Sequence, residues 1–174
     1  PTEFLGYETE AAEAQVVAII KDGEKVDILD VGQEGLIVTN QTPFYAESGG
    51  QVGDQGEILK EGLMSKVSDT RKALPNLYVH QTFINAGGVA VGDAVQMKVD
   101  HDRRTASRAN HSVTHLMHEA LRRVLGDHVS QKGSLQDDAR TRFDVSHPKA
   151  ITAEEIAKVE TMVGEQIAAN TDIV

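Results

Sequence analysis

An α+β protein is predicted, with a small N-terminal β-barrel followed by a helix–strand–strand–helix unit. Three observations carry this reading. Apolar and polar residues alternate in short runs through the first part of the chain. Most of its 15 glycines fall there, between the runs. The apolar period then changes near Asp100, from two residues to three and four.

The elements follow in order. Gln15-Val16-Val17-Ala18-Ile19-Ile20 is apolar and β-branched, Asp22-Gly23 signals a tight turn, and Lys25-Val26-Asp27-Ile28-Leu29 alternates. That pattern predicts a hairpin. Gly35-Leu36-Ile37-Val38-Thr39 reads as a third strand, and Gly56-Glu57-Ile58-Leu59 as a short one. Alternation returns in Leu77 to Phe83 and in Gly92 to Val99. Several short strands separated by Gly-rich turns suit a small barrel or sandwich, and the barrel is the expectation here.

His101 to Leu125 contains no Gly or Pro, and Val113, Leu116, Met117, Ala120, Leu121 and Val124 recur at helical spacing. This predicts an amphipathic helix stopped by Gly126. His128 to Leu135 and Arg140 to Ser146 read as two strands. Thr152-Ala153-Glu154-Glu155 has the form of a capping box and opens a second helix through about Ala169. We therefore expect two domains, residues 1–100 and 101–174.

Composition narrows the class. The 174 residues suit one large or two small domains, and a chain of this size buries roughly two-thirds of its unfolded surface. It contains no Cys, which excludes a disulfide framework and thiolate ligands within the sequence and fits a cytoplasmic protein. No apolar run approaches the roughly 20 residues that span a bilayer. The chain begins at Pro1 rather than Met, so a fragment of a longer protein is expected. A net charge of −10 opposes phosphate backbones on average, so this part is not expected to supply most of any RNA affinity.

Three stretches carry candidate chemistry. His111 and His115 are four apart on the predicted helix, hence on one face, where two imidazoles can converge on a metal. The spacing alone serves equally for two surface or capping histidines. Two ligands are also fewer than the three or four that zinc takes from a protein. Gly49-Gly50-Gln51, within Thr42 to Asp54, is either a turn at a barrel corner or a loop that approaches a ligand. It is no phosphate loop, because no Gly-Lys-Ser/Thr follows. Gln131 and Ser134 either face a pocket or form the outer side of a half-exposed strand.

Taken together, these stretches resemble the editing domain of bacterial-type alanyl-tRNA synthetases. The residues that carry the resemblance are Phe44 to Asp54, Arg108 to Leu116, Gln131 to Leu135, Arg142 to His147, and the lead-in Pro1 to Tyr7. The resemblance implies hydrolysis of tRNA(Ala) mischarged with serine or glycine. It implies His111 and His115 as zinc ligands and Gln131 in the editing pocket. Thr42 is placed against the bound amino acid, and Gly49, Gly50 and Gln51 along the pocket wall. Partners implied are the acceptor end of tRNA(Ala) and the rest of the synthetase in cis, whose catalytic domain alone uses ATP.

The family supplies two further zinc ligands from a downstream Cys-x-x-x-His motif. The sequence ends at Val174, about where that motif should begin. We therefore expect weak, substituted or absent zinc binding and weak or absent deacylation by this chain alone. A stand-alone deacylase acting in trans, and a non-catalytic tRNA-binding module, are the competing readings.

Overall fold

The computed structural model describes residues 1–171. In chain order the strands are β1 (Glu3–Phe4), β2 (Ala11–Lys21), β3 (Glu24–Val26), β4 (Ile28–Asp30), β5 (Glu34–Thr39), β6 (Gln41–Thr42), β7 (Gly56–Lys60), β8 (Leu63–Leu74), β9 (Leu77–Ala86), β10 (Gly88–Ala90) and β11 (Ala94–Val99). Helix α1 (His101–Leu125), strands β12 (Gln131–Gln136) and β13 (Thr141–Val145), and helix α2 (Ala153–Ala169) complete the α+β order expected. The chain forms two compact units. One comprises residues 1–48 and 52–104; the other comprises Gly49–Gln51 and the chain from Thr105 onward. Residues 172–174, and the place where the Cys-x-x-x-His motif is expected, lie outside the described residues.

The first unit is a closed barrel. Six strands pair antiparallel in the ring β2–β5–β9–β8–β7–β11, which β11 closes by pairing back onto β2. Closure removes the exposed edges that an open sheet would present. β3 adds to β2 through the Asp22-Gly23 turn, with Lys21 opposite Glu24. Both turn residues have positive φ, 52° and 84°, as a two-residue hairpin of the primed type requires. The alternation of β11 places Val95, Met97 and Val99 inward. They join Val16, Ile19, Ile37, Ile58, Leu63, Val67 and Ile84 in one buried cluster. Each such side chain contributes about 1.5–3 kcal/mol on burial.

Two differences from the sequence expectation are informative. β8, the 12-residue strand of the ring, has no counterpart among the predicted elements. Its inward positions include Ser65 and Thr70, whose hydroxyls donate to Ile58 O (2.6 Å) and Asp54 O (2.9 Å). Buried hydroxyls satisfied by backbone carbonyls hide the apolar period, and Lys66, Arg71 and Lys72 add a surface charge pattern. The second hairpin strand is also shorter than predicted. It breaks at Asp27, whose carbonyl accepts from Val91 N (2.9 Å), and the following β4 pairs with β10 instead.

A buried ion pair closes the base of the Phe44–Asp54 loop. Arg104 and Asp54 are each 4% exposed. Arg104 Nε donates to Asp54 Oδ2 at 2.9 Å, and the guanidinium also donates to the carbonyls of Pro43 and Gly6. Tyr45 N donates to Asp54 Oδ2 (2.7 Å) and Asp54 N to Tyr45 O (2.9 Å). Gly53 passes so close to β8 that a Cβ there would lie 2.1 Å from Thr70 O.

In the second unit, Val159, Val163 and Met162 of α2 pack with Leu116, Met117, Ala120, Leu121 and Val124 of α1. α2 begins with the expected capping box, Thr152 and Glu155 each bonding the other's backbone N–H. α1 is fixed to the β12–β13 hairpin by polar contacts. Asn110 Nδ2 donates to Asp137 O (2.7 Å), and the Thr114 and Thr141 hydroxyls lie 2.7 Å apart.

Candidate metal centre

His111 and His115 stand one turn apart on α1, with ring centroids 5.3 Å apart and planes 18° from parallel. The helix period puts Arg108 and Ser112 beside them. Together with Gln51 these side chains line an open cleft of about 270 Å³. Partial burial holds the His111 imidazole below its ordinary pKa of 6.5, and the neighbouring His115 lowers it further. His111 is therefore neutral near pH 7, the form in which imidazole ligates a metal.

Gly49, Gly50 and Gln51 join this centre although they lie some sixty positions earlier in the chain. Gly49 and Gly50 have φ of 60° and 88°. Gly50 runs against β12, where an added Cβ would meet Ser134 Oγ at 2.2 Å and Ser134 O at 2.8 Å. Its carbonyl accepts from Gln136 N at 2.8 Å, and Gln51 forms a parallel bridge with Gln136. With its backbone held there, Gln51 is 6% exposed and places its Oε1 3.0 Å from His111 Nδ1. Glycine at both preceding positions is what allows this approach.

The other expected residues stand differently. Gln131 is exposed at the start of β12, with its Nε2 donating to Ser134 Oγ at 3.2 Å. Thr42 belongs to the barrel unit and is fully buried, its hydroxyl 2.8 Å from His80 Nε2. Three features had not been singled out from the sequence. Arg108 and Ser112 were within reach of a helical-period argument from His111. The Gln51–His111 contact had no such signal, because nothing local links residues so far apart in sequence. Gln136 is fully buried, and neither of its amide atoms has a hydrogen-bond partner among the described residues.

The donor set fits a divalent metal of borderline softness as far as it extends. It offers two imidazoles on one helix face, one of them with its second nitrogen engaged by a carboxamide. Among the described residues, no group of three or more His, Cys, Asp or Glu side chains is gathered for a metal. Beside the cleft, Val113, Leu116, His115 and Ile167 help line an apolar hollow of about 550 Å³. No helix among the described residues is long and apolar enough to cross a membrane.

The sequence of this chain has relatives. Residues 1–103 match the family model of tRNA synthetases class II (A). The chain belongs to that family. It is 53% identical over 172 residues to an alanine–tRNA ligase of Nitrobacter winogradskyi, covering 99% of this chain and 19% of the relative. It is 56% identical over 173 residues to that of Parvibaculum lavamentivorans, again 99% and 19%. The protein of Rhodopseudomonas palustris is 53% identical over 173 residues, 99% and 20%. The chain thus spans about a fifth of the length of the curated relatives it matches.

Proposed function

We propose that this chain is the editing part of an alanine–tRNA ligase, hydrolysing the aminoacyl ester of tRNA(Ala) mischarged with serine or glycine. The observation that carries the reading is the His111–His115 pair with Gln51 on His111, in a chain whose relatives are alanine–tRNA ligases. A synthetic site built for alanine discriminates poorly against glycine and serine, and a second hydrolytic site supplies the missing selectivity.

His111 and His115 would hold zinc. When bound, the metal supplies a Lewis-acidic point that orients the terminal ribose or amino group of the substrate. Water adds to the ester carbonyl carbon, the acyl C–O bond breaks, and the proton passes to the ribose oxygen. The products are free amino acid and uncharged tRNA. We assign the exposed carboxamide of Gln131 to the pocket beside the ester. Gly49, Gly50 and Gln51 form its wall.

Thr42 is assigned to the serine hydroxyl. That assignment rests on the resemblance alone: the side chain is fully buried in the barrel unit, where Oγ1 donates to His80 and accepts from Phe44 N. The acceptor end of tRNA(Ala) would reach the site from the rest of the synthetase in cis, in the cytoplasm. ATP serves only the aminoacylating part.

The test is deacylation of Ser-tRNA(Ala) by the full-length ligase carrying His111→Ala. Loss of hydrolysis with aminoacylation intact is expected, and retained hydrolysis would overturn the role. It would favour a module that only binds tRNA. With two imidazoles among the described residues, the chain alone should hold zinc weakly and hydrolyse slowly. Nanomolar zinc affinity by calorimetry would refute that expectation.

A further inference from the structure

We infer that Gln51 is a positioning residue, whose side-chain carbonyl fixes His111 as the Nδ1–H tautomer and so leaves Nε2 as its ligand atom. The inference deepens the metal reading above and rests on it for the role of Nε2, but not for the tautomer.

The argument starts from donor and acceptor chemistry. A neutral imidazole carries one proton, and the hydrogen bond at one nitrogen decides which nitrogen remains free. At His111 the partner is Gln51 Oε1, 3.0 Å from Nδ1. A carbonyl oxygen only accepts, so the proton resides on Nδ1. Solvated imidazole side chains favour the other tautomer, so an imposed preference has something to act against.

Gln51 is equipped to impose it. The side chain is almost wholly buried. The backbone beneath it is held by the Gly50 O–Gln136 N bond at 2.8 Å and by the bridge to Gln136. Two positive-φ glycines fix its approach, and Gly49 leaves open the space beside His111 Cε1, 3.9 Å from where a Cβ would be. Carboxamide or carboxylate partners at the second nitrogen of a metal-bound histidine raise its basicity and fix its ring. Their loss costs about 10–100-fold in metal affinity.

The experiment has two arms. In the first, long-range ¹H–¹⁵N spectra of the metal-free chain are recorded at about pH 8, above the ordinary histidine pKa. The wild type should show His111 as Nδ1–H. Gln51→Leu should lose that preference, and Gln51→Glu, which keeps an acceptor, should retain it. A wild-type His111 protonated on Nε2, or a Gln51→Leu protein with the wild-type tautomer and an otherwise native spectrum, would overturn the inference.

In the second arm, zinc is titrated into the full-length ligase against a competing chelator. Gln51→Leu should bind about 10–100-fold more weakly than wild type, with Gln51→Glu close to wild type. Equal affinity of Gln51→Leu and wild type would overturn the positioning role. A full-length wild-type ligase that takes up no zinc at this site would sink the metal reading itself, while the tautomer assignment is decided by the first arm.

Discussion

Thr42 Oγ1 and His80 Nε2 lie 2.8 Å apart, and both side chains are wholly buried in the barrel unit. The direction of this bond is fixed by the rest of the chain of contacts. His80 Nδ1 is 2.9 Å from Ile37 O, a carbonyl that only accepts, so the ring proton is on Nδ1 and Nε2 accepts from the Thr42 hydroxyl. Thr42 in turn accepts from Phe44 N at 3.1 Å, and the Phe44 ring meets the His80 ring edge-on at 5.4 Å. A continuous polar line thus anchors the start of the loop that carries Gly49–Gln51.

The first prediction concerns pH. Burial lowers His80 from 6.5 to about 4, against a smaller raising effect of its bond to Ile37 O. The folded protein holds this ring neutral, while the unfolded chain takes up a proton below about 6.5. Stability from His80 is therefore complete above that pH and falls as pH drops toward 4. Between pH 8 and pH 5 the loss should be about 2 kcal/mol. Urea unfolding across this range should show it, and His80→Asn should flatten the profile. A variant profile parallel to wild type would refute the assignment.

Thr42→Val should destabilise the barrel by about 1–3 kcal/mol, because it leaves His80 Nε2 buried without a donor. Thr42→Ser keeps the hydroxyl and should recover much of that loss. Thermal unfolding separates the two variants. Equal melting temperatures for Thr42→Val and wild type would show that the contact carries no weight.

Arg104→Met leaves Asp54 buried with only backbone donors. Breaking a buried pair on one side typically costs about 3–5 kcal/mol. The expected signature is a lower denaturant midpoint and faster amide exchange at Tyr45 and Asp54, whose backbone groups close the same loop. Unchanged exchange at those two amides would show that the ion pair does not hold the loop.

Gly49 and Gly50 should respond unequally to alanine. Both have positive φ, which costs an L-residue about 1–2 kcal/mol. At Gly49 the nearest atom to a new Cβ is 3.9 Å away, so that cost should be nearly all. At Gly50 the Cβ would meet the Ser134 backbone carbonyl at 2.8 Å, and about 1–3 kcal/mol of overpacking adds to it. Equal losses in chemical denaturation would mean that β12 yields freely.

Much of this was legible in the sequence where the determinants are local. Asp22-Gly23, the His101–Leu125 period, Gly126 and the Thr152–Glu155 box each act within a turn or two of chain, and each appears as expected. β8 was not legible, because Ser65 and Thr70 take inward positions and find carbonyl partners from other strands. The His111–His115 spacing was plain. Its partner Gln51 was not, because a contact across 60 positions is made by packing and leaves no periodic trace. Thr42 likewise gave no sign that its hydroxyl is engaged inside the barrel.

The pairing of β11 with β2 has a further consequence for biosynthesis. Ala94 to Lys98 pair with Gln15 to Ala11, so the barrel's ring cannot shut until some eighty residues beyond the start of β2 have left the ribosome. At about 5–20 residues per second, the early half of β2 waits on the order of 4–16 s for this neighbour. During that interval it is a bare strand, open to mispairing and to chaperones. Helix α1 begins two residues after the closing strand ends. His111 and His115 therefore emerge only once every strand of the ring has been made.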